Sequence, residues 1–251
     1  MNVAIIAAAG QGVRMGTKRA KQFLELDGIP VIIHTLTRFE QCPDIHEIVV
    51  VLPEKDVKRF PALARKYGLS KVVNCVAGGP TRARSVKRGL DSMRGKDVKI
   101  VTVHDGVRPF VTPKEISQTV KATRHSGAAI LFAPVNDTIK VIQGDWVRRT
   151  YPRTELCRAL TPQCFRYELL RHAQTRIFPG GMQRSRRVGH GGRIIPGKDF
   201  TDDSMLVEEF KKRIFLVAGN PRNIKITGPE DIAFAEIILK RNPEFRIKKP
   251  K

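Results

Sequence analysis

The chain has 251 residues with 41% hydrophobic side chains, enough for a buried core, and carries a formal net charge of +22. No stretch approaches the roughly 20 apolar residues that span a bilayer, and the first residues lack the basic start and long apolar core of a signal peptide, so we expect a cytoplasmic protein without a membrane segment. The four cysteines show no Cys-x-x-Cys spacing, which argues against a zinc site or a disulfide scaffold.

The positive charge would attract a nucleic acid, a membrane surface or a phosphorylated substrate, and composition alone does not choose among them. Aromatic residues make up only 6% of the chain. No basic stretch is interleaved with stacking rings, and no zinc-finger, RRM or basic-zipper pattern occurs. Nucleic-acid binding is therefore disfavoured, although a basic nucleic-acid-binding protein stays open as an alternative.

The first half of the chain alternates apolar β-prone runs with segments of helical spacing. The runs are VAIIAAA, EIVVVL, KVVNCV, KIVTVH and AAILFAPV, and the helical segments are 30–40, 55–67, 80–93 and 113–125. Such alternation is typical of βαβ units, in which helices cover both faces of a mostly parallel sheet. The sequence therefore predicts an α/β protein with three layers.

Ligands of such sheets bind beyond the carboxyl ends of the strands. Four stretches fall at these ends, namely AAAGQG, CVAGGP, TVHDGVRPF and PVNDT. We therefore expect all four to converge on one crevice.

The alternation stops after the fifth run. Residues 136–160 contain alternating runs around the turn-like QGD and are interpreted as a projecting β-arm, whose exposed apolar residues would pack on a second copy of the chain. A helix is predicted near 165–176. A basic, glycine-rich loop follows at about 176–198, which we hypothesise to be a phosphate-attracting flap, with a neutral insertion as the alternative. The remaining predictions are strands at RIFLVAG and NIKIT, a helix that begins near 228–231, and a solvated basic tail.

The glycines after the first run indicate a phosphate loop. Counting from Gly10 and Gly12, Met15 occupies the third glycine position of a dinucleotide fingerprint. Gly16 is followed by Thr17, where a Walker loop needs lysine, so both spacings fail. What remains is a tight loop of backbone N–H groups with basic residues nearby, which suits a triphosphate better than a dinucleotide.

This loop and several later motifs resemble one family. The opening AAAGQGVRMG, followed by KQFLELDGIPVIIHTLTRFE, is similar to that of the 2-C-methyl-D-erythritol 4-phosphate cytidylyltransferases of the non-mevalonate isoprenoid pathway. The match continues in the family's order through AGGPTRARSVKRGL, VHDGVRPFVTP, PVNDTIK, PRTELCRALTPQCF, TDDSMLVE and NIKITGPEDIAFAE. It covers nearly the whole chain. The resemblance implies one nucleotidyltransferase domain over residues 1–251, with a Rossmann-like three-layer fold and a β-arm that completes the partner's active site in a homodimer.

The resemblance also implies a reaction. The phosphate of 2-C-methyl-D-erythritol 4-phosphate attacks the α-phosphorus of CTP in line and expels pyrophosphate, with Mg²⁺ or another divalent cation as cofactor. A phosphate monoester is already ionised near neutral pH, so the attack requires no general base. Catalysis would then rest on positioning and on neutralisation of charge.

The family motifs assign candidate site residues. The implied catalytic residues are Arg14 and Lys21, which would hold the triphosphate and offset charge in the transition state, and Arg153 of the arm. The implied nucleotide-binding residues are Ala8, Ala9, Gly10, Gly12, Gly78, Gly79, Arg82, Ser85, Asp105 and Lys225. The implied substrate-binding residues are Asp105, Arg108, Thr138 and Arg153, the last two reaching the substrate of the partner subunit.

Some of these residues have simpler interpretations that stay open. Asp105 would hold the ribose or Mg²⁺, with CTP phosphates as the main metal ligands, but a salt bridge to Arg108 competes with this role. Taken alone, Ser85 would be a hydroxyl on a helix surface. Asp202 and Asp203 precede an apolar run, so helix capping is favoured over substrate contact.

The chain departs from the family pattern at Ala20, where proline usually precedes Lys21, and at Pro80, a position that is often polar and near the base. The nearest alternative function is that of a ribitol-5-phosphate cytidylyltransferase, because this sister family shares the loop and a similar HDSVRPF stretch. The motifs DTIK and NIKIT and the R…LTPQ arrangement favour methylerythritol phosphate.

Overall fold

The structure is a computed structural model that describes residues 1–10, 20–178 and 200–249. Gly12, Arg14 and residues 179–198 of the predicted basic loop lie outside the described residues, so the flap hypothesis stays a prediction. The strands are β1 Asn2–Ala7, β2 Glu25–Leu26, β3 Ile29–Pro30, β4 Glu47–Leu52, β5 Val72–Ala77, β6 Ile100–Asp105, β7 Ala128–Pro134, β8 Lys140–Gln143, β9 Trp146–Thr150, β10 Cys157–Arg166 and β11 Phe215–Ala218. The helices are α1 Val31–Glu40, α2 Glu54–Val57, α3 Phe60–Lys66, α4 Arg82–Asp91, α5 Pro113–Ser126, α6 Tyr167–Ile177, α7 Ser204–Glu208 and α8 Pro229–Arg241, with short 3₁₀ helices at Lys21–Phe23, Arg153–Glu155 and Pro243–Phe245.

In the part of the chain that the structure describes, seven strands form one sheet in the order β11-β7-β10-β6-β1-β4-β5. The pairs β6–β1, β1–β4, β4–β5 and β11–β7 are parallel, whereas β10 runs antiparallel to both of its neighbours. Strand β1 is buried from Val3 to Ile6, as expected for a central strand whose two faces are covered. The predicted α/β sheet is confirmed.

Helices cover both faces of this sheet. On one face α1, α3 and α5 pack against the strands, with Leu36 and Ile116 fully buried. On the other face α4, α6 and α7 pack, with Val86 and Leu170 fully buried. Each such side chain contributes roughly 1.5–3 kcal/mol through burial, so the two cores fix the sheet and its carboxyl edge. The predicted three-layer arrangement is confirmed.

The predicted elements of the first half match the structure closely, but the predicted helix at 55–67 is interrupted between α2 and α3. In the second half, strand β10 was not predicted; its Pro162 lacks the N–H that a central strand uses for pairing. The structure accommodates Pro162 in a register shift of β10 against β7 between Ala159 and Gln163.

The last part of the chain packs against the body of the protein. Helix α8 joins a third apolar cluster, in which the rings of Phe110 and Phe245 lie 5.2 Å apart. The guanidinium of Arg38 donates to the backbone oxygen of Glu244 at 3.2 Å. The prediction of a solvated tail is therefore wrong for Phe245, whose ring is buried in this apolar cluster, whereas Arg246, Lys248 and Lys249 are exposed as predicted.

The NIKIT segment, residues 223–227, has no strand assignment, so that prediction is wrong. Its Ile226 N–H donates to the backbone oxygen of Val107 at 2.9 Å, and Ile226 is buried. Apolar and polar residues alternate in this segment because it packs against the loop after β6, not because it pairs with a strand. Lys225 is left facing the carboxyl edge of the sheet.

Strands β8 and β9 form a separate two-stranded hairpin within the predicted arm. Gly144 adopts a positive φ of 57° at its turn, a conformation that suits glycine. The exposed fractions of Ile142, Trp146 and Val147 are 72%, 80% and 61%. Large apolar side chains at such exposure in one short hairpin are typical of interaction surfaces.

Two histidines are buried in the described structure. Nε2 of His34 lies 2.9 Å from the backbone oxygen of Leu26, and burial lowers the pKa of His34 to about 4. Burial lowers the pKa of His104 on β6 to about 3. Both imidazoles are therefore neutral in the folded protein at neutral and mildly acidic pH.

We expect the free energy of unfolding to fall as the pH drops from 6.5 towards 4. In this window the unfolded chain binds protons at both histidines and the folded chain does not, so each histidine removes up to about 1.4 kcal/mol per pH unit. Urea unfolding followed by circular dichroism at several pH values measures this slope. His34→Gln should reduce it by about half, because one of the two histidines is removed; an unchanged slope would contradict the expectation.

Candidate active site

A cavity of about 450 Å³ opens at the carboxyl edge of the sheet, beyond β1, β5 and β6. It is lined by residues 7–10, 21–22, 79–82, 85, 105, 107 and 225. Three of the four stretches that were expected to converge do so, namely AAAGQG, CVAGGP and TVHDGVRPF. The fourth, PVNDT, does not line the cavity, because it follows β7, which β10 separates from β6.

The loop after β1 is held by close contacts with its neighbours. The N–H of Ala8 donates to the backbone oxygen of Val51 at 2.8 Å, and its own carbonyl accepts from Nε2 of Gln22 at 2.7 Å. A Cβ on Gly78 would stand 2.1 Å from the Cβ of Ala9. Glycine is thus required at position 78 because the loop after β5 packs closely on the loop after β1.

Ser85 stands in the wall of the cavity. Its hydroxyl accepts from the N–H of Gly79 at 3.0 Å and donates to the backbone oxygen of Thr81 at 2.9 Å. Arg88, one turn further along α4, donates to the backbone oxygen of Gly78 at 2.6 Å. Ser85 is therefore a buried residue that holds the loop in shape, and the alternative of an exposed helix-surface hydroxyl is wrong.

Asp105, at the end of β6, forms ion pairs with three cationic side chains. Its Oδ1 lies 3.1 Å from Nε of Arg82, and its Oδ2 lies 3.2 Å from Nε of Arg108 and 3.0 Å from Nζ of Lys225. Burial alone would raise the pKa of Asp105, but Arg82, Lys225 and Arg108 hold that pKa well below its ordinary value. Asp105 is therefore a permanent carboxylate, and the Asp105–Arg108 salt bridge considered from the sequence is present.

Arg82 has a second carboxylate partner, Asp203, at the start of α7. Nη1 of Arg82 lies 2.6 Å from Oδ2 of Asp203, which is fully buried. Burial lowers the pKa of Arg82, but Asp203 and Asp105 outweigh that effect and raise it, so the guanidinium stays charged. Burial raises the pKa of Asp203 against the opposing effect of Arg82.

The two adjacent aspartates thus have different tasks. Oδ1 of Asp202 accepts the N–H of Met205 at 3.1 Å, so Asp202 caps α7 as the sequence favoured. Asp203 makes no side-chain capping bond, and the capping prediction is wrong for it. The reason is that the buried guanidinium of Arg82 competes for its carboxylate.

Lys21 lines the cavity from the first residue of a 3₁₀ helix. Ala20, which precedes it, has φ −65° and ψ 136°. This φ is the value that proline would impose, so the alanine keeps the backbone geometry of the family pattern. Pro80, the other departure, also lines the cavity.

Thr138 and Arg153 lie outside the cavity of their own chain. Both are exposed, and Nη1 of Arg153 donates to the backbone oxygen of Asn136 at 2.8 Å. The structure therefore brings Lys21, Arg82, Asp105 and Lys225 together and leaves the two arm residues apart from them.

His104 lies behind Asp105 and is fully enclosed. Its Nδ1 is 2.9 Å from Oγ1 of Thr161, and its Nε2 is 3.1 Å from the backbone oxygen of Arg108. Asn223 donates to the backbone oxygen of Thr161 at 2.7 Å and its own backbone oxygen accepts from Arg108 at 2.9 Å. Both ring nitrogens of His104 are therefore engaged with protein groups, and burial lowers the pKa of the imidazole.

The side chains around the cavity indicate whether the protein itself could hold a metal ion there. Among the described residues, no group of three or more histidine, cysteine, aspartate or glutamate side chains is placed to hold a metal. Asp105 is the single acid among the described lining residues, and cations occupy both of its oxygens. This donor set does not form a protein cage for a metal ion.

Five residues help to shape the cavity, and this role was not predicted for them from the sequence. They are Gln22, Arg88, Gln163, Asp203 and Asn223. The TDDS motif contained a signal for Asp203, because two adjacent acids exceed what one helix cap requires. The other four act through backbone groups that are distant in sequence, and no local pattern marks them.

The fold and the cavity define a class. A mostly parallel sheet with helices on both faces carries, at its carboxyl edge, a cavity lined by backbone and by cationic side chains, as in α/β proteins that bind nucleotides. The chain belongs to the IspD family, described as 2-C-methyl-D-erythritol 4-phosphate cytidylyltransferase, whose model matches residues 2–241.

Individual relatives agree with the family match. The 2-C-methyl-D-erythritol 4-phosphate cytidylyltransferase of Halalkalibacterium halodurans is 39% identical over 235 residues, which cover 94% of this chain and 95% of the relative. The protein of the same name from Geobacter metallireducens is 37% identical over 240 residues, covering 94% and 97%. The crystal structure of 4-diphosphocytidyl-2C-methyl-D-erythritol synthase from Anaerococcus prevotii has a TM-score of 0.79 and 31% identity over 96% of both chains.

Of the helices in the described ranges, none combines the length and the apolar character that crossing a bilayer demands.

We expect Gly78→Ala to weaken nucleotide binding. The added Cβ would meet Ala9 at 2.1 Å, so the two loops must separate and the cavity must widen. The KM for the nucleotide should rise about tenfold, because small misplacements of binding groups are costly. Asn74→Ala, at an exposed position of β5 on the same segment, is the control and should leave the KM unchanged. An unaltered KM in Gly78→Ala would show that the contact has no bearing on the site.

Proposed function

We infer that this chain transfers the cytidylyl group of CTP to 2-C-methyl-D-erythritol 4-phosphate, giving 4-CDP-2-C-methyl-D-erythritol and pyrophosphate. The observation that carries this function is the family match over residues 2–241. The cavity supports it, because cations and backbone groups surround a space where a triphosphate fits. Since CTP is a nucleotide of the cell interior, we also propose a cytoplasmic location.

The reaction exchanges one phosphorus–oxygen bond for another. An oxygen of the acceptor phosphate bonds to the α-phosphorus of CTP while the bond from that phosphorus to the α–β bridging oxygen breaks, and pyrophosphate leaves. The acceptor is already an anion at neutral pH, so no proton needs to be removed. This agrees with a neutral, enclosed His104 and an Asp105 whose oxygens are committed to cations.

Charge neutralisation is then the main task of the protein. We propose that Lys21, together with Arg14, holds the triphosphate and offsets the charge that develops on the leaving pyrophosphate. Lys225 and Arg82 would contribute at the opposite wall, where Asp105 fixes both. Attraction between fixed cations and phosphate is strong here because the site is partly closed to water.

We propose that the backbone loops and the arm bind the remaining parts of the two substrates. Ala8, Ala9, Gly10 and Gly12 would present N–H groups to the triphosphate, and Gly78, Gly79 and Ser85 would border the base. Arg108, Thr138 and Arg153 would bind the methylerythritol phosphate, since the arginine fork suits a phosphate.

We propose Mg²⁺, or another divalent cation, as cofactor. It would be held by the CTP phosphates with Asp105 as the protein ligand, and when bound it would neutralise charge on the phosphates. The ion-paired state of both Asp105 oxygens supports a nucleotide-borne cation over a metal resident in the protein.

We propose that the functional unit is a homodimer joined through the arm. Ile142, Trp146 and Val147 expose apolar surface on the hairpin, which a second copy of the chain would cover. Arg153 and Thr138 lie apart from the cavity of their own chain, which supports delivery of these residues to the partner subunit.

Two other functions compete with this one. A ribitol-5-phosphate cytidylyltransferase would use the same nucleotide and a different acceptor, and the relatives do not favour it. A nucleic-acid-binding protein would exploit the net charge of +22, but the ordered cavity with its paired carboxylates has no part in such binding.

We expect pyrophosphate release when the purified protein is given CTP, Mg²⁺ and 2-C-methyl-D-erythritol 4-phosphate, and none with ribitol 5-phosphate or without acceptor. Lys21→Met should lower kcat/KM by about 100-fold or more, as for loss of a group that stabilises transition-state charge. Lys121→Met removes the same charge at an exposed position of α5 and should change nothing. Turnover with ribitol 5-phosphate, or silence with both acceptors alongside salt-sensitive duplex binding, would contradict the proposal.

We expect two inactive variants to restore one another in a mixed dimer. Co-expressed Lys21→Met and Arg153→Ala chains form some heterodimers in which one of the two sites has an intact lysine and an intact arm. Activity should return to about a quarter of the wild-type level if association is random. Each variant alone is the control and should stay inactive. No recovery, with a monomer in sedimentation, would refute the shared site.

A further inference from the structure

The guanidinium of Arg82 is held from two sides. Nε contacts Oδ1 of Asp105 at 3.1 Å, and Nη1 contacts Oδ2 of Asp203 at 2.6 Å. Nη2 is buried and has no hydrogen-bond partner among the described residues. Two fixed contacts define the plane of a guanidinium, so the orientation of Arg82, which also lines the cavity, is set by these two carboxylates.

The backbone of Asp203 is itself anchored to the sheet. Oε1 of Gln163 accepts the N–H groups of Asp203 and Ser204, each at 3.0 Å, and Nε2 of Gln163 donates to Oδ2 of Asp202 at 2.8 Å. Gln163 lies on β10, the strand beside β6, and pairs with Val103. Both carboxylates that hold Arg82 are therefore tied to adjacent strands.

We propose that Asp203 is a positioning residue for the transfer reaction, which orients Arg82 towards the phosphates of CTP, and that Gln163 holds Asp203 in place. This inference rests on the proposed function, because it assigns the ligand of Arg82. Asp203 does not touch the substrates itself. Its effect passes through the guanidinium.

The charge of Asp203 and its effect on the orientation of Arg82 lead to opposite predictions for CTP binding. The cluster contains three cations, Arg82, Arg108 and Lys225, and two carboxylates, those of Asp105 and Asp203. Removing the Asp203 charge makes this cluster more positive, so attraction alone would tighten CTP binding. Loss of orientation would weaken it, because an uncharged amide at position 203 holds the guanidinium less firmly than a carboxylate does. We expect orientation to prevail, since the loss of one buried partner leaves the other ion incompletely paired.

The test is Asp203→Asn, with Asp91→Asn as the matched control, which removes the same charge at the exposed end of α4. In Asp203→Asn, the KM for CTP should rise about tenfold and kcat should fall, while the KM for 2-C-methyl-D-erythritol 4-phosphate should change less than about twofold. Asp91→Asn should retain wild-type values, because Asp91 pairs with Lys87 and Arg94 and does not line the cavity. An unchanged or lower KM for CTP in Asp203→Asn overturns the inference.

A second background separates positioning from a general loss of structure. In Arg82→Ala, the further change Asp203→Asn should cost little, because the group through which Asp203 acts is gone. Equal losses in both backgrounds would overturn the inference. If Asp203→Asn does not fold, Gln163→Met tests the same point: it keeps the Asp203 carboxylate, removes its backbone anchor, and should also raise the KM for CTP, whereas wild-type values would refute the role of Gln163.

Equilibrium binding of CTP distinguishes failure of this inference from failure of the proposed function. If the wild type binds CTP without transferring it and Asp203→Asn binds CTP more weakly, the function is wrong and the role of Asp203 stands. If the wild type turns over normally and Asp203→Asn binds CTP equally well, the inference is wrong and the function stands. A wild type that does not bind CTP overturns both.

Discussion

The site depends on one carboxylate that serves three cations. Asp105 ends a strand buried in the centre of the sheet, so its position is set by the core, and it transmits that position to Arg82, Arg108 and Lys225. Cations clustered without such a partner would repel one another and spread apart. Because a reaction between two phosphates gains from fixed charge more than from proton transfer, a rigid cationic wall is the feature that the chemistry needs.

The loops around this wall are fixed by packing and not only by charge. Gly78 lets one loop meet another at Ala9, Ser85 binds two backbone groups of its own loop, and Arg88 holds Gly78 from α4. Much of the cavity is thus organised before a ligand arrives. Organisation in advance reduces the entropy that binding would otherwise have to remove, and it aligns the reacting atoms.

The sequence predicted most of the fold and the middle of the site. The alternation of β-prone and helical segments predicted the three layers, and the position of Asp105 at the end of a predicted strand placed it in the site. Both signals are local in the sequence. Prediction failed where a residue's partner is distant in sequence: Asp203 was assigned to a helix cap because Arg82 stands 121 positions away. Strand β10 was missed because Pro162 argues against a central strand, and only the pairing on either side shows that a register shift admits it. The role that we propose for the arm residues involves a second chain, which no single sequence displays.

Strand β10 has a consequence for how proteins of this shape change in evolution. Its ten residues, about 33 Å of chain, run from the base of the arm through the register shift to Gln163 and on into the core. Inserting or deleting one residue at the arm's base would turn Thr161 and Gln163 to the opposite face and detach both His104 and Asp203. The tip of the hairpin bears no such restriction. Length variation should therefore accumulate at the tip of the hairpin, where it leaves the contacts of His104 and Asp203 undisturbed.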